Sequence, residues 1–228
     1  MKGLFLIILV LILINGQCYA QKLNYVTIKY SLEFYDFNFI TDYPIKFQEG
    51  NKTFLNCNIG LLHSFSFQNK NILATGILYS QKNYYNVYDY KIFDPPSSFK
   101  PYMPFNFKHS VAYIEIPFFY GYNFNIYDRL FLKPNIGVLS GFLFINRQYI
   151  NEMEIYEGRF KIDKMLFSTS LNLSIEYKLN EKLGIGIEPF YRYCFSNPIK
   201  EVLKRAPYSY GLSLNIFCYY HRQINLNP

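Results

Sequence analysis

The sequence contains no tryptophan and only three histidines, and beyond residue 14 it has no long apolar run. A helix needs about 20 consecutive apolar residues to cross a bilayer, so helical spanning is excluded for everything after the N-terminus. Cysteine is sparse: Cys57, Cys194 and Cys218 stand far apart, in neither a disulfide framework nor a zinc-binding spacing. No phosphate loop, dinucleotide fingerprint or metal-ligand spacing occurs, so neither cofactor nor metal is expected. His63, His109 and His221 are dispersed. His63-Ser64 and His109-Ser110 each place a hydroxyl beside an imidazole, but neighbours on a strand point to opposite faces. No catalytic residue is assigned, and the expectation is a protein that is not an enzyme.

Tyrosine and phenylalanine are abundant. The chain has 24 Tyr and 23 Phe, and half of its residues are apolar yet dispersed. The dispersal has a period of two, the mark of a strand with one oily and one polar face. Val26, Ile28, Tyr30, Leu32 and Phe34 alternate with Thr27, Lys29, Ser31 and Glu33. Phe167, Thr169, Leu171, Leu173, Ile175 and Tyr177 alternate with Ser168, Ser170, Asn172, Ser174, Glu176 and Lys178. Eight such segments can be drawn, beginning near Leu23, Thr53, Ile72, Val111, Arg129, Met165, Leu183 and Tyr208. The third is the weakest.

The connections alternate in length. Gln68-Asn69-Lys70-Asn71, Asn125-Ile126-Tyr127-Asp128 and Asn180-Glu181 are hairpin-sized and rich in turn formers. The other four joins, roughly residues 35–52, 86–110, 146–165 and 196–207, are longer. With strands running up and down, all short turns collect at one end and all long loops at the other. Small transmembrane barrels have this asymmetry, with periplasmic turns and extracellular loops. The expected fold is all-β: an eight-stranded antiparallel up-and-down transmembrane β-barrel.

Met1-Lys2-Gly3, an apolar stretch from Leu4 to Ile14 and a small residue at Ala20 have the order of a secretory signal peptide. The expected organisation is a cleaved leader at 1–20 and one barrel domain at 21–228. Acylation of Cys18 is the rival reading, and Gln17 before it does not suit that processing. The formal charge of +7 could suggest nucleic acid, but an exported chain meets none. Anionic headgroups of outer-membrane lipids are the counter-surface it would suit, and the favoured reading is that the surplus is simply dispersed. The mixed run Glu152, Glu154, Glu157, Arg159, Lys161, Asp163 and Lys164 reads as a solvated loop.

Charges within the strands indicate which face meets lipid. Lys29, Glu33, Glu115, Lys133, Glu176, Lys178, Glu188 and Arg192 all fall on polar faces. Near the bilayer midplane a lipid-facing Lys or Arg costs about 2–4 kcal/mol, whereas inward-facing charges can pair. These eight are expected to form a self-neutralising network inside a barrel too narrow for an open pore. Tyr84, Tyr85, Tyr88, Tyr90, Tyr102, Tyr208, Tyr219 and Tyr220 sit near strand ends, as in a headgroup-level girdle. Pro117 and Pro189 interrupt strands, and bulges are expected at both.

Ile114-Glu115-Ile116-Pro117, followed after a turn by Leu132-Lys133-Pro134-Asn135-Ile136-Gly137, resembles strands of the PorT-like family of small outer-membrane β-barrels. Glu188-Pro189-Phe190-Tyr191-Arg192-Tyr193 and Pro207-Tyr208-Ser209-Tyr210-Gly211-Leu212 are similar to that family's last two strands. The resemblance runs from about Ser110 to Tyr220. It implies a Gram-negative outer-membrane location, no shared catalytic residues and a connection to protein secretion that fold alone does not transfer. The leading expectation is a non-catalytic barrel with a structural or docking role toward other envelope or secretion proteins. Two alternatives stay open: an outer-membrane lipid-modifying or proteolytic enzyme, and a soluble periplasmic lipocalin-like ligand binder.

Overall fold

Hydrocarbon admits a strand only if its backbone is paired within the protein, and an open sheet always leaves two edges unpaired. The chain meets this demand by closing its sheet. The computed structural model describes residues 23–36, 54–67, 70–89, 104–150, 153–155, 163–196 and 208–221. They contain ten strands: β1 (Leu23–Asp36), β2 (Phe54–Phe67), β3 (Asn71–Asp89), β4 (Pro104–Tyr122), β5 (Phe124–Tyr127), β6 (Leu130–Ile150), β7 (Met153–Ile155), β8 (Met165–Lys178), β9 (Leu183–Cys194) and β10 (Tyr208–His221).

Every pairing is antiparallel, and each barrel strand pairs with its neighbours in sequence. The first strand closes on the last, from Leu23 opposite His221 to Asp36 opposite Tyr208. Strand β5 continues β4 past Asn123 into a tight turn at Asp128–Arg129, and β7 is a short addition to β6. The result is a closed eight-stranded up-and-down β-barrel, with β4 and β5 acting as one staff.

The short connections sit together at the end that carries Leu23 and His221. They are tied to one another: Asn123 N–H donates to the Lys70 carbonyl at 2.7 Å, Lys178 N–H to Arg129 and Tyr219 N–H to Lys182, both at 2.8 Å. In the β8–β9 turn, Asn180 Oδ1 accepts from the N–H groups of Lys182 and Leu183 at 2.8 and 2.9 Å. The longer joins leave from the opposite rim. Most of their residues, and the expected leader at 1–20, lie outside the described residues.

The oily face is outside. Leu55, Ile59, Leu61 and Ile77 on one side of the barrel, and Ile136, Val138, Leu171 and Leu214 on the other, are all more than half exposed. Lys29, Glu33, Glu115, Lys133, Glu176, Glu188 and Arg192 are buried in the lumen. A soluble lipocalin-like barrel has the reverse polarity.

The expected bulges at Pro117 and Pro189 are not there. Pairing of β4 with β6 runs in register through Pro117↔Leu139, and that of β9 with β10 through Pro189↔Leu212. Each proline instead breaks the ladder on its other side. Pairing of β3 with β4 lapses between Thr75↔Phe118 and Leu78↔Glu115, and pairing of β8 with β9 between Asn172↔Phe190 and Ile175↔Ile187. A missing N–H removes one rung and needs no extra residue. Register shifts among the described residues lie elsewhere: Ala112↔Ile145 is followed by Tyr113↔Leu143, which leaves Phe144 as the surplus residue, and Asn125↔Phe131 is followed by Tyr127↔Leu130 beside the β5–β6 turn. Beyond Phe144 the alternation of β6 is inverted, so that Gln148 is buried where an odd-numbered residue would otherwise face in.

Inward glycines let large residues from the next strand fold across the lumen. Phe119 pairs with Gly137, and Phe190 with Gly211. A Cβ on Gly137 would collide with the Phe118 carbonyl and the Phe119 ring, and one on Gly211 would stand 2.7 Å from the Phe190 ring. Gly141 is different, because its nearest neighbours are side-chain carbons at 3.3–3.5 Å. Gly137→Ala should therefore lower stability by about 1–3 kcal/mol through overpacking. Gly141→Ala should leave it nearly unchanged. The midpoint temperature for loss of the SDS-resistant, fast-migrating gel band measures both.

Candidate functional site

The lumen is filled in three layers. At the short-turn end Tyr25, Ile72, Phe217 and Tyr219 form an aromatic and aliphatic plug. Beside it Lys133 is ion-paired to Glu176, donates to the Tyr25 hydroxyl at 3.4 Å and lies 4.5 Å above the Tyr25 ring. In the middle Leu62, Leu78, Phe119 and Leu139 pack together. There Lys29 is ion-paired to Glu188 and lies within 6 Å of both the Phe119 and Phe190 rings.

The layer nearest the long loops is a four-membered charge network. Arg192 bonds both oxygens of Glu115 at 3.1 Å, and its Nε lies 3.6 Å from Glu33. Lys82 bridges the same two carboxylates, 3.7 Å from Glu33 and 3.5 Å from Glu115. Asn58 donates to Glu33 at 2.8 Å, Ser209 donates to it at 2.5 Å, and Ser80 donates to Asn58 at 2.6 Å. Two acids and two bases cancel, and the remaining carboxylate valences are met by amide and hydroxyl donors. This is the condition under which charge can be buried without a large penalty.

The structure thus brings seven of the eight sequence-derived charges together in pairs or in the network. Lys178 is the exception: it is half-buried at the short-turn rim, with its ammonium 5.5 Å above the Tyr219 ring. Lys82 takes its place in the charge balance and is fully buried. Sequence reasoning missed Lys82 because the inward face of β3 also carries Ile72, Ala74 and Leu78, which blurs the alternation. Its position two residues from Ser80 on that face was the available signal. Tyr219, assigned from sequence to an outer girdle, instead points into the plug. Tyr220 does face out. Tyr90 and Tyr102 lie outside the described residues, as do the side chains of Tyr84, Tyr85 and Tyr88.

Side chains of the described residues occupy the lumen in all three layers. A cavity of about 50 Å³ lies between the plug and the middle layer, lined by Lys29, Lys133, Glu188, Ser174 and Asn215 among others. That volume suits one or two water molecules and no larger solute. His63 and Ser64 occupy opposite faces: Ser64 is buried in the lumen, while the His63 ring is on the outside, hydrogen-bonded to the Tyr220 hydroxyl. Among the described residues no group of three His, Cys, Asp or Glu side chains is placed to hold a metal ion. Cys57, Cys194 and Cys218 are free thiols, and only Cys194 is buried.

No protein-family model and no curated protein matches the chain. Among solved structures, the outer membrane protein AlkL in lipid bilayers is similar at 11% identity and a TM-score of 0.48, covering 92% of this chain and 95% of that one. Neisserial surface protein A is similar at 12% identity and a TM-score of 0.47, covering 86% and 97%. The outer membrane protein OprG from Pseudomonas aeruginosa is similar at 12% identity and a TM-score of 0.44, covering 89% and 99%.

Glu33→Gln leaves Lys82 and Arg192 sharing one carboxylate, and loss of a buried partner costs about 3–5 kcal/mol. Lys178→Gln, at the half-buried rim position, should cost under about 1 kcal/mol. Urea unfolding in lipid vesicles, followed by the folded and unfolded gel bands, distinguishes the two variants.

Proposed function

We propose that this chain is an integral protein of the Gram-negative outer membrane, without catalytic activity, that docks other envelope or secretion proteins at its long-loop end. The signal-like N-terminus and the resemblance to PorT-like barrels support that location. An accessory role in protein secretion is the finer form of the proposal.

One observation carries the docking reading. Among the described residues three adjacent strands are the longest: β3 and β4 have 19 residues each and β6 has 21, against 12–14 in β1, β2, β8, β9 and β10. The described pairing of β3 with β2 stops at Cys57↔Gln81, while its pairing with β4 continues to Asp89↔Pro104. From Tyr84 to Asp89 the pairing of β3 given by the described residues is with β4, and Asn83 N–H donates to Asn56 Oδ1 at 2.6 Å. An extended strand projecting from a membrane barrel can take up a segment of another protein by strand addition. The filled lumen supports the same reading, because it leaves the rim as the working surface.

A photo-crosslinker placed at Val87 in living cells should capture a discrete envelope protein, and the same group at Ile187 on the lipid face should not. Adding Asn86→Pro should abolish the adduct while the SDS-resistant band persists. No adduct at Val87, or equal adducts at both positions, would remove the docking proposal.

A further inference from the structure

At Leu173 the barrel wall leaves a backbone acceptor without its ladder partner. Leu173 pairs with Pro134 on β6. On its other side, pairing of β8 with β9 runs to Asn172↔Phe190 and resumes at Ile175↔Ile187, which sets Leu173 opposite Pro189. In an antiparallel sheet the N–H and C=O of one residue address the same neighbouring strand. Whichever strand the Leu173 carbonyl addresses, the residue across from it has no N–H to give. On a wall that faces lipid, a backbone carbonyl without its rung is costly unless another donor replaces it.

The outer surface at this point has a shallow, open depression. A groove of about 740 Å³ crosses β4, β6, β8 and β9, walled by Tyr120, Ile136, Leu171, Leu173, Pro189 and Tyr191, with Pro134 also lining it. Leu171, Ile136, Tyr120 and Tyr191 are all about half exposed to the outside, so the groove opens to the bilayer. Apolar walls beside a single orphaned acceptor describe a complementary ligand: a hydrocarbon chain with one hydrogen-bond donor near its head.

We infer that this groove binds a membrane lipid whose hydroxyl or amide N–H lies at the top of its acyl chains, and that this group donates to the Leu173 carbonyl. The acyl chain fills the groove, and the donor replaces the rung that Pro189 cannot form. A glycerophospholipid with ester-linked chains has no donor at that depth and does not substitute. The inference goes beyond the docking role and does not depend on it, since it concerns the lipid face and not the rim.

The test compares the ¹³C resonance of the Leu173 carbonyl, by solid-state NMR, in phosphatidylcholine vesicles and in phosphatidylcholine vesicles containing ceramide, which supplies a hydroxyl and an amide donor. The wild-type resonance should move downfield, the direction of hydrogen bonding, only when ceramide is present. Pro189→Ala restores an N–H across from Leu173, so its resonance should be downfield in both vesicles and insensitive to ceramide. A wild-type resonance at the same position in both vesicles would overturn the inference, whether water already holds the carbonyl or ceramide never reaches it. So would an equal ceramide shift in the variant. Should Pro189→Ala fail to fold, the wild-type comparison decides alone.

Discussion

Inside a bilayer the backbone has no solvent to turn to, and each N–H and C=O must be answered by another part of the chain. The closure of β1 on β10, in register over fourteen pairs from Leu23↔His221 to Asp36↔Tyr208, is how this chain satisfies that constraint. Closure of eight strands fixes a narrow lumen, and the narrow lumen in turn dictates what the inward faces can carry. The prolines show the constraint from its other side. Pro117 and Pro189 keep register with one neighbour and forfeit rungs with the other, and no residue is inserted to compensate.

The interior has two ways of filling its space. Apolar layers place Phe119 and Phe190 across glycines of the adjacent strand, so bulk on one strand is matched by absence on the next. The layer toward the long loops uses charge: Glu33, Glu115, Lys82 and Arg192 neutralise one another, with Asn58 and Ser209 completing the carboxylate hydrogen bonds. A buried network of this kind is weak evidence for stability over an apolar core; it ties β1, β3, β4 and β9 together across the lumen, and of these only β3 and β4 are paired in the sheet. Between them the two modes fill the lumen of the described residues with side chains.

Much of the fold is legible in the sequence because lipid imposes a strict period of two. The alternation from Val26 to Phe34 and from Phe167 to Lys178 gives both the strands and their faces, and the alternation of short and long joins gives the topology. Legibility falls wherever lipid stops imposing that pattern. The extensions of β3, β4 and β6 were assigned to loops because beyond the membrane neither face needs to be oily. On β3, inward Ile72, Ala74 and Leu78 resemble outward residues, so Lys82 was not recognised as a partner of Glu33 and Glu115. The surplus residue at Phe144 shifts a register by one, which composition does not reveal. Tyr219 was misplaced because an aromatic near a strand end suits either a girdle or a plug, and only parity with Phe217 separates the two.

The central claim is the polarity of the wall: hydrocarbon against the aliphatic stripe and ion pairs within. Single cysteines at 136, 187, 133 and 192, introduced into a background without Cys57, Cys194 and Cys218 and exposed to a lipid-borne photolabel in vesicles, test it most directly. Strong labelling at 136 and 187 with none at 133 and 192 is the outcome the account requires. The reverse pattern would mean that the barrel carries its charges toward the bilayer, and the account would be wrong.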